Sequence, residues 1–200
     1  AKKTLKDKLA KLNKTLDKKL HATNGMGKEL EDWKKDAQPF HWLSEFYHII
    51  HGNGGFDVII GNPPYVEYNK KDSKTKKAIS DIYKLNPEDG KTPCGYKTLE
   101  CGNLYAFVIE RSKAIIHENA SFGMIVPISM VCTQRMEKVQ KLILESSCTW
   151  LSNYAERPGK LFTGAEVLLT IFLTRNSDTQ EIYTTGFTKW RSEDRELLFQ

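Results

Sequence analysis

A mostly parallel α/β sheet is the fold class that this chain of 200 residues predicts, and three observations predict it. Residues 56–60 form a short apolar run rich in β-branched side chains, the pattern of a buried strand, and Gly61 and Pro63-Pro64 stop it at once. A second run of this kind, residues 121–126, is ended by Pro127. Segments of helical spacing, 104–115 and 131–147, follow each of them, and a third strand is expected around Trp150, Leu151 and Tyr154. Strand, helix, strand, helix, strand argues a parallel sheet with crossover helices. Residues 166–174 and 182–187 complete it as two strands joined by the turn-like Asn176-Ser177-Asp178, an expected antiparallel terminal hairpin.

The first 36 residues are expected to form a charged amphipathic helical segment. Leu5, Leu9, Leu12, Leu16 and Leu20 make one helical stripe, expected to lie against the core or a helical partner. This segment holds eleven Lys against six acidic residues, which is the whole net charge of +5. The remaining 164 residues balance nineteen Lys and Arg against nineteen Asp and Glu, so the body of the domain is not a strongly basic nucleic-acid binder. Asn24-Gly25-Met26-Gly27 breaks the helix and follows no strand, so it is no cofactor loop. Phe40, Trp42 and Phe46 read as a packing anchor, and residues 51–55 as a Gly-rich connection into the first strand.

The stretch that carries chemistry is Asn62-Pro63-Pro64-Tyr65, held at the carboxyl end of a strand, where ligands bind in open α/β sheets. An exocyclic amine on an aromatic base is a poor nucleophile, because its lone pair is delocalised into the ring. Two acceptors aimed at its hydrogens, the Asn62 side-chain oxygen and the Pro63 carbonyl, would build negative charge on that nitrogen. Pro63 and Pro64 carry no N–H to compete, and Tyr65 offers a flat face for a base. Positioning and preorganised dipoles suffice, without a base of unusual pKa.

Beyond this turn, Lys70, Lys71, Lys74, Lys76 and Lys77 form a cluster that is either a solvated face or a contact for DNA phosphates. Residues 84–102, with Pro87, Gly90, Pro93, Gly95 and Gly102, read as a long loop. Asn103 can cap the next helix, whose apolar stripe is Leu104, Phe107, Val108, Arg111 and Ile115. Phe162 stands in a Pro-Gly-rich loop, and residues 189–200 read as the start of a further domain, leaving 37–188 as the main one. Cys94, Cys101, Cys132 and Cys148 form no C-x-x-C pair, and no His has a convincing ligand spacing. They are expected to be free thiols in a reducing cytoplasm, with no metal site. No apolar run approaches membrane-spanning length, and the chain begins Ala1-Lys2-Lys3 without Met, as an excised piece of a longer protein would.

The run from Asp57 through Asn62-Pro63-Pro64-Tyr65 to Val66 resembles motif IV of S-adenosylmethionine-dependent amino-methyltransferases. Its form is most similar to the adenine-specific DNA methyltransferases of type IIG restriction–modification proteins. The aromatic run at 40–46, Asn103-Leu104-Tyr105 and the strand at 121–127 match that pattern too, although Ala120-Ser121 stands where two glycines are usual. The resemblance spans about 38–176 and implies the carboxyl-terminal half of a Rossmann-like methyltransferase domain.

The resemblance further implies that Asn62 and Pro63 orient the amine of a flipped adenine in double-stranded DNA, with Tyr65 and Phe162 stacking on the base. Asp57, Asn62, Pro63, Asn103 and Tyr105 would border the cofactor, S-adenosylmethionine. No strand leads into a Gly-x-Gly turn, so the main cofactor-binding part is expected in the remaining domains of the parent protein, and this chain alone would be inactive. Glutamine and RNA methyltransferases also carry Asn-Pro-Pro-Tyr, so a protein or RNA substrate is the alternative. A non-catalytic module working through the Leu-striped helix is the third reading.

Overall fold

The structure of the protein, a computed structural model, describes residues 2–24, 27–67, 97–145, 147–162, 166–191 and 194. Its centre is one five-stranded sheet made of β1 (Phe56–Gly61), β2 (Ile116–Pro127), β3 (Ser147–Tyr154), β4 (Leu169–Asn176) and β5 (Glu181–Thr188), in the order β1-β2-β4-β3-β5. β1 is parallel to β2 and β3 to β5, while β4 runs antiparallel to both β2 and β3. Four strands therefore share a direction and β4 opposes them, which matches the expectation of a mostly parallel sheet.

The expected hairpin between residues 166–174 and 182–187 does not form. β4 pairs along its length with β2 on one side and β3 on the other, so its antiparallel partner in sequence is the preceding strand. The reason is burial. Leu169, Thr170, Phe172 and Thr174 of β4 are buried, which suits a central strand, whereas residues 181–187 are all exposed and suit an edge.

β1 is not the buried strand that its composition suggests. Among the described residues it pairs with β2 alone, and Val58 and Ile60 are 59% and 76% exposed. Ile59 packs on the core and its neighbours point to the opposite face, as pleating requires. Before β1, Gly55 has φ 135°, and a Cβ there would lie 2.6 Å from the backbone of Ile116 and His117, so only glycine fits this approach.

The helices that position the site lie on one face of the sheet. Helices α1 (Lys2–Asn24), α2 (Leu30–Ala37) and α3 (Trp42–Glu45) precede β1. α4 (Leu104–Ile115), α5 (Ser129–Cys132) and α6 (Glu137–Leu144) follow it, with 3-10 turns at Lys97–Cys101 and Gln134–Met136. The core joins Tyr105 and Ile109 of α4, Phe122, Met124 and Val126 of β2, Met136, Val139 and Ile143 near α6, and Phe172 of β4. The helix expected over 131–147 is interrupted at Thr133, which is extended, and Gln140 donates to the Met130 and Thr133 carbonyls at 2.9 and 3.2 Å, supplying donors at the break.

The leucine stripe of α1 does not pack on the core. Leu5, Leu12 and Leu20 are 70%, 48% and 37% exposed. The helix is held instead by its polar face. Asn13 donates to Glu45 at 3.0 Å, and Asp17 accepts from His41 at 2.7 Å and Lys34 at 3.0 Å. The ring of His21 meets buried Trp33 edge-on. Spacings of four residues put Asn13, Asp17 and His21 on one face, and α2 and α3 supply their partners. The aromatic anchor does form. Phe40, Trp42 and Phe46 cluster with Phe56, at the start of β1, with centroids 5.0–6.3 Å apart. Cys101, Cys132 and Cys148 are free thiols, and Cys94 lies outside the described residues. No helix among the described residues is long and apolar enough to cross a membrane.

Candidate active site

Asn62, Pro63, Pro64 and Tyr65 form the turn that leaves β1. Pro63 is buried, Asn62 and Pro64 are exposed, and Tyr65 is half-buried. The Tyr65 hydroxyl lies 2.6 Å from Asn62 Oδ1 and 2.9 Å from the Ile125 carbonyl oxygen on β2. Burial pushes the phenol pKa up to about 12, so it keeps its proton at neutral pH.

Three contacts hold the chain just past the turn. The Leu104 N–H donates to the Val66 carbonyl at 2.9 Å, Glu67 bridges to Asn103, and Arg135 pairs with Glu67 at 2.6 Å. Asn103 caps α4 as its sequence suggests: its backbone is extended, and its side chain accepts from the Tyr105 N–H at 3.3 Å. Nearby, Glu110 accepts from the backbone of Lys97 and Thr98, both at 2.9 Å, and from the Thr98 hydroxyl at 2.8 Å. It ties the first described turn after residue 96 to α4.

A groove of about 650 Å³ runs along β1 up to the turn. Its walls are largely apolar. It is lined by Val58, Ile59 and Ile60 of β1 and by Phe107, Val108 and Ile115 of α4, with Asn62, Arg111 and Ser112 as its polar residues. The stripe expected to bury α4 thus faces partly into this groove. The buried residues of the helix are Tyr105, Ala106, Phe107, Ile109, Ser112 and Ile115, so the predicted stripe and the side packed on the core overlap. Both sides are apolar, so spacing alone cannot rank them.

Of the residues singled out from sequence, Asn62, Pro63, Pro64 and Tyr65 are contiguous at the groove's end. Phe162 is half-buried and packs on the cluster of Tyr154, Leu161, Leu169 and Trp190, on which Tyr65 also packs. Asp57 is exposed on β1. Asn103 is 4% exposed and Tyr105 fully buried, its hydroxyl 3.3 Å from Met136 Sδ. Neither is among the residues that line the groove. Lys70, Lys71, Lys74, Lys76 and Lys77 lie outside the described residues, as does most of the loop expected over 84–102. Arg135, Glu67 and Glu110 escaped sequence reasoning, because charged residues that meet only in the fold leave no local pattern.

A family model described as the Eco57I restriction-modification methylase matches residues 1–156. The chain belongs to the Eco57I restriction-modification methylase family. Within reach of this family stands RM.Eco57I of Escherichia coli, a type II restriction enzyme and methyltransferase, 29% identical over 151 residues that cover 73% of this chain and 14% of that protein. RM.MjaORFECS2P of Methanocaldococcus jannaschii is 30% identical over 138 residues, 69% of this chain and 10% of that protein. The chain thus spans about a tenth to a seventh of the length of these relatives. The cryo-EM structure of the DrdV–DNA complex shares its fold, with a TM-score of 0.51 at 14% identity over 76% of this chain and 17% of that one. The chain is thus a region of a restriction–modification methylase-family protein, and its open, mostly parallel sheet is an α/β fold shared with the DrdV structure.

Proposed function

We propose that the turn at 62–65 is the target-base site of an adenine-specific DNA methyltransferase, and that this chain is the carboxyl-terminal half of its catalytic domain. The observation that carries this reading is the exposed Asn62 acceptor at the mouth of the groove, next to two prolines that offer no competing N–H. Asn62 Oδ1 and the Pro63 carbonyl accept from the exocyclic amine of a flipped adenine, raising electron density on its nitrogen. Tyr65 and Phe162, packed on one cluster, supply the rings that clamp the base. Held in this way, the amine nitrogen would take up the methyl group as the cofactor's sulfur–methyl bond breaks and the neutral thioether leaves, and the excess proton on nitrogen would pass to water.

S-adenosylmethionine, when bound, supplies the electrophilic methyl group. The groove fits only part of that molecule. Its walls suit an apolar portion next to Asn62 and Pro63, but they bring no carboxylate to pair with ribose hydroxyls. We assign the rest of the cofactor site to other segments of the parent protein, which makes this chain inactive by itself. The RM.Eco57I and DrdV relatives make double-stranded DNA the expected partner, with Lys70, Lys71, Lys74, Lys76 and Lys77 as phosphate contacts beside the base.

The test is transfer of labelled methyl to adenine-containing DNA by the full-length parent and by this chain, side by side. The parent is expected to methylate adenine, and Asn62→Ala in the parent to lose most activity while still folding. Methylation of a protein glutamine or of RNA, and not of DNA, would overturn the substrate assignment. Full activity of Asn62→Ala would overturn the role of the turn.

A further inference from the structure

We propose that the Tyr65 hydroxyl is a positioning group that orients the Asn62 side-chain amide for catalysis, a role separate from any stacking by the ring. The inference rests on the reading of the turn given above. Asn62 is exposed at the end of an edge strand, and the terminal torsion of an Asn side chain is broad, so its backbone alone does not aim its oxygen. What aims it is contact. The phenol oxygen lies 2.6 Å from Asn62 Oδ1.

The other side of this link is fixed. The Tyr65 ring packs on both hydrophobic clusters of the domain, and its hydroxyl is 2.9 Å from the Ile125 carbonyl on β2. Asn62 is thereby tied through one side chain to the centre of the sheet. A preorganised acceptor needs such support, because a small misplacement of a reacting group is costly in rate.

The two distances carry a second consequence. A phenol has one proton, and here two acceptors stand within reach of it. Without a base, the proton satisfies Asn62 Oδ1. An amide oxygen has two acceptor sites, so Asn62 Oδ1 can accept from the adenine amine while it still accepts from the phenol, which holds the amide in place as the base arrives.

Tyr65→Phe in the full-length parent isolates the hydroxyl, because it keeps the ring. Single-turnover methyl transfer, DNA affinity, thermal unfolding and the fluorescence of 2-aminopurine at the target position would be measured for this variant and for Asn62→Ala. The expected result is a fall in transfer rate of about tenfold for Tyr65→Phe, the effect of about one hydrogen bond. DNA affinity, unfolding temperature and the 2-aminopurine signal should stay at the parent's values. If Tyr65→Phe transfers methyl at the parent rate while Asn62→Ala is inactive, the positioning role is wrong and the reading of the turn survives. If Tyr65→Phe loses DNA affinity or unfolding temperature in step with its rate, the hydroxyl is structural and the inference falls. Full activity of Asn62→Ala would remove both.

Discussion

Asn62 illustrates how little of a functional side chain's behaviour lies in the residue itself. It is exposed, yet its Oδ1 is engaged by a phenol that is itself anchored in two clusters. Replacing it by Ala removes one of the two acceptors assigned to the amine. If these act as a preorganised electrostatic site, the loss in turnover of the parent should be about 10²–10³-fold, as for removal of one such group in other enzymes. The same replacement should leave thermal unfolding nearly unchanged, because the side chain is on the surface. A much smaller kinetic loss would mean that the Pro63 carbonyl does most of the work. Arg135 and Glu67 are a different case. Their ion pair is short, at 2.6 Å, but both side chains are at least half exposed, so it adds little to stability.

α4 carries more of the site than any other helix, because its amino terminus fastens both the chain after the turn and its own cap. Asn103→Ala should destabilise the parent's domain by about 1 kcal/mol, a drop of roughly 2–4 °C in unfolding temperature, as calorimetry would show. The docking of α1 has its own signature. Burial by itself would raise the Asp17 pKa, but hydrogen bonds from His41 and Lys34 outweigh it and hold the carboxyl below its ordinary value. A depressed pKa gives stability that is present above the unfolded value, about 4, and is lost as pH falls through the folded one. Hydrogen exchange in α1 and α2 should therefore be slow at neutral pH and speed up below about pH 4. Asp17→Asn should abolish that acid step. An unchanged step in the variant would assign it to another carboxylate.

Among the described residues, helices pack on one face of the sheet. α4 and α6 cover one face of the sheet, and the other shows a row that crosses all five strands in register: Ile60, Gly123, Leu173, Trp150 and Tyr183. Ile60, Leu173, Trp150 and Tyr183 are 76%, 50%, 42% and 52% exposed, and Trp150 stacks on Tyr183 with centroids 6.0 Å apart. Among the described residues, the outer edges of β1 and β5 pair with no further strand and add unpaired backbone groups. Apolar rows and open edges of this kind drive association in water. The 200-residue chain should accordingly self-associate with rising concentration, and Leu173→Lys should lower its weight-average mass in sedimentation. Equal masses for the two would place the contact elsewhere.

Local order was legible without the fold. The strand at 56–61, the later part of the strand Ile116–Pro127, the cap at Asn103 and the Asn-Pro-Pro-Tyr turn follow from β-branched runs, an Asx acceptor before a helix and prolines that cannot donate. The family likeness rests on those same residues, and the match over 1–156 agrees with it. Pairing was not legible. β4 separates β2 from β3 and β5 lies outside both, because strand order depends on which strand has two faces and two edges to bury, and spacing along one strand does not report that. The leucine stripe of α1 predicts a packed helix, but Asn13, Asp17 and His21 find partners on α2 and α3 that only the fold brings near. Sequence therefore determined which segments become strands, helices and the Asn-Pro-Pro-Tyr turn, because those choices rest on local backbone and side-chain chemistry. The tertiary structure alone decided that the turn ends an edge strand beside an apolar groove and that Tyr65 reaches both Asn62 and Ile125, because a hydrogen bond across 60 positions has no local cause.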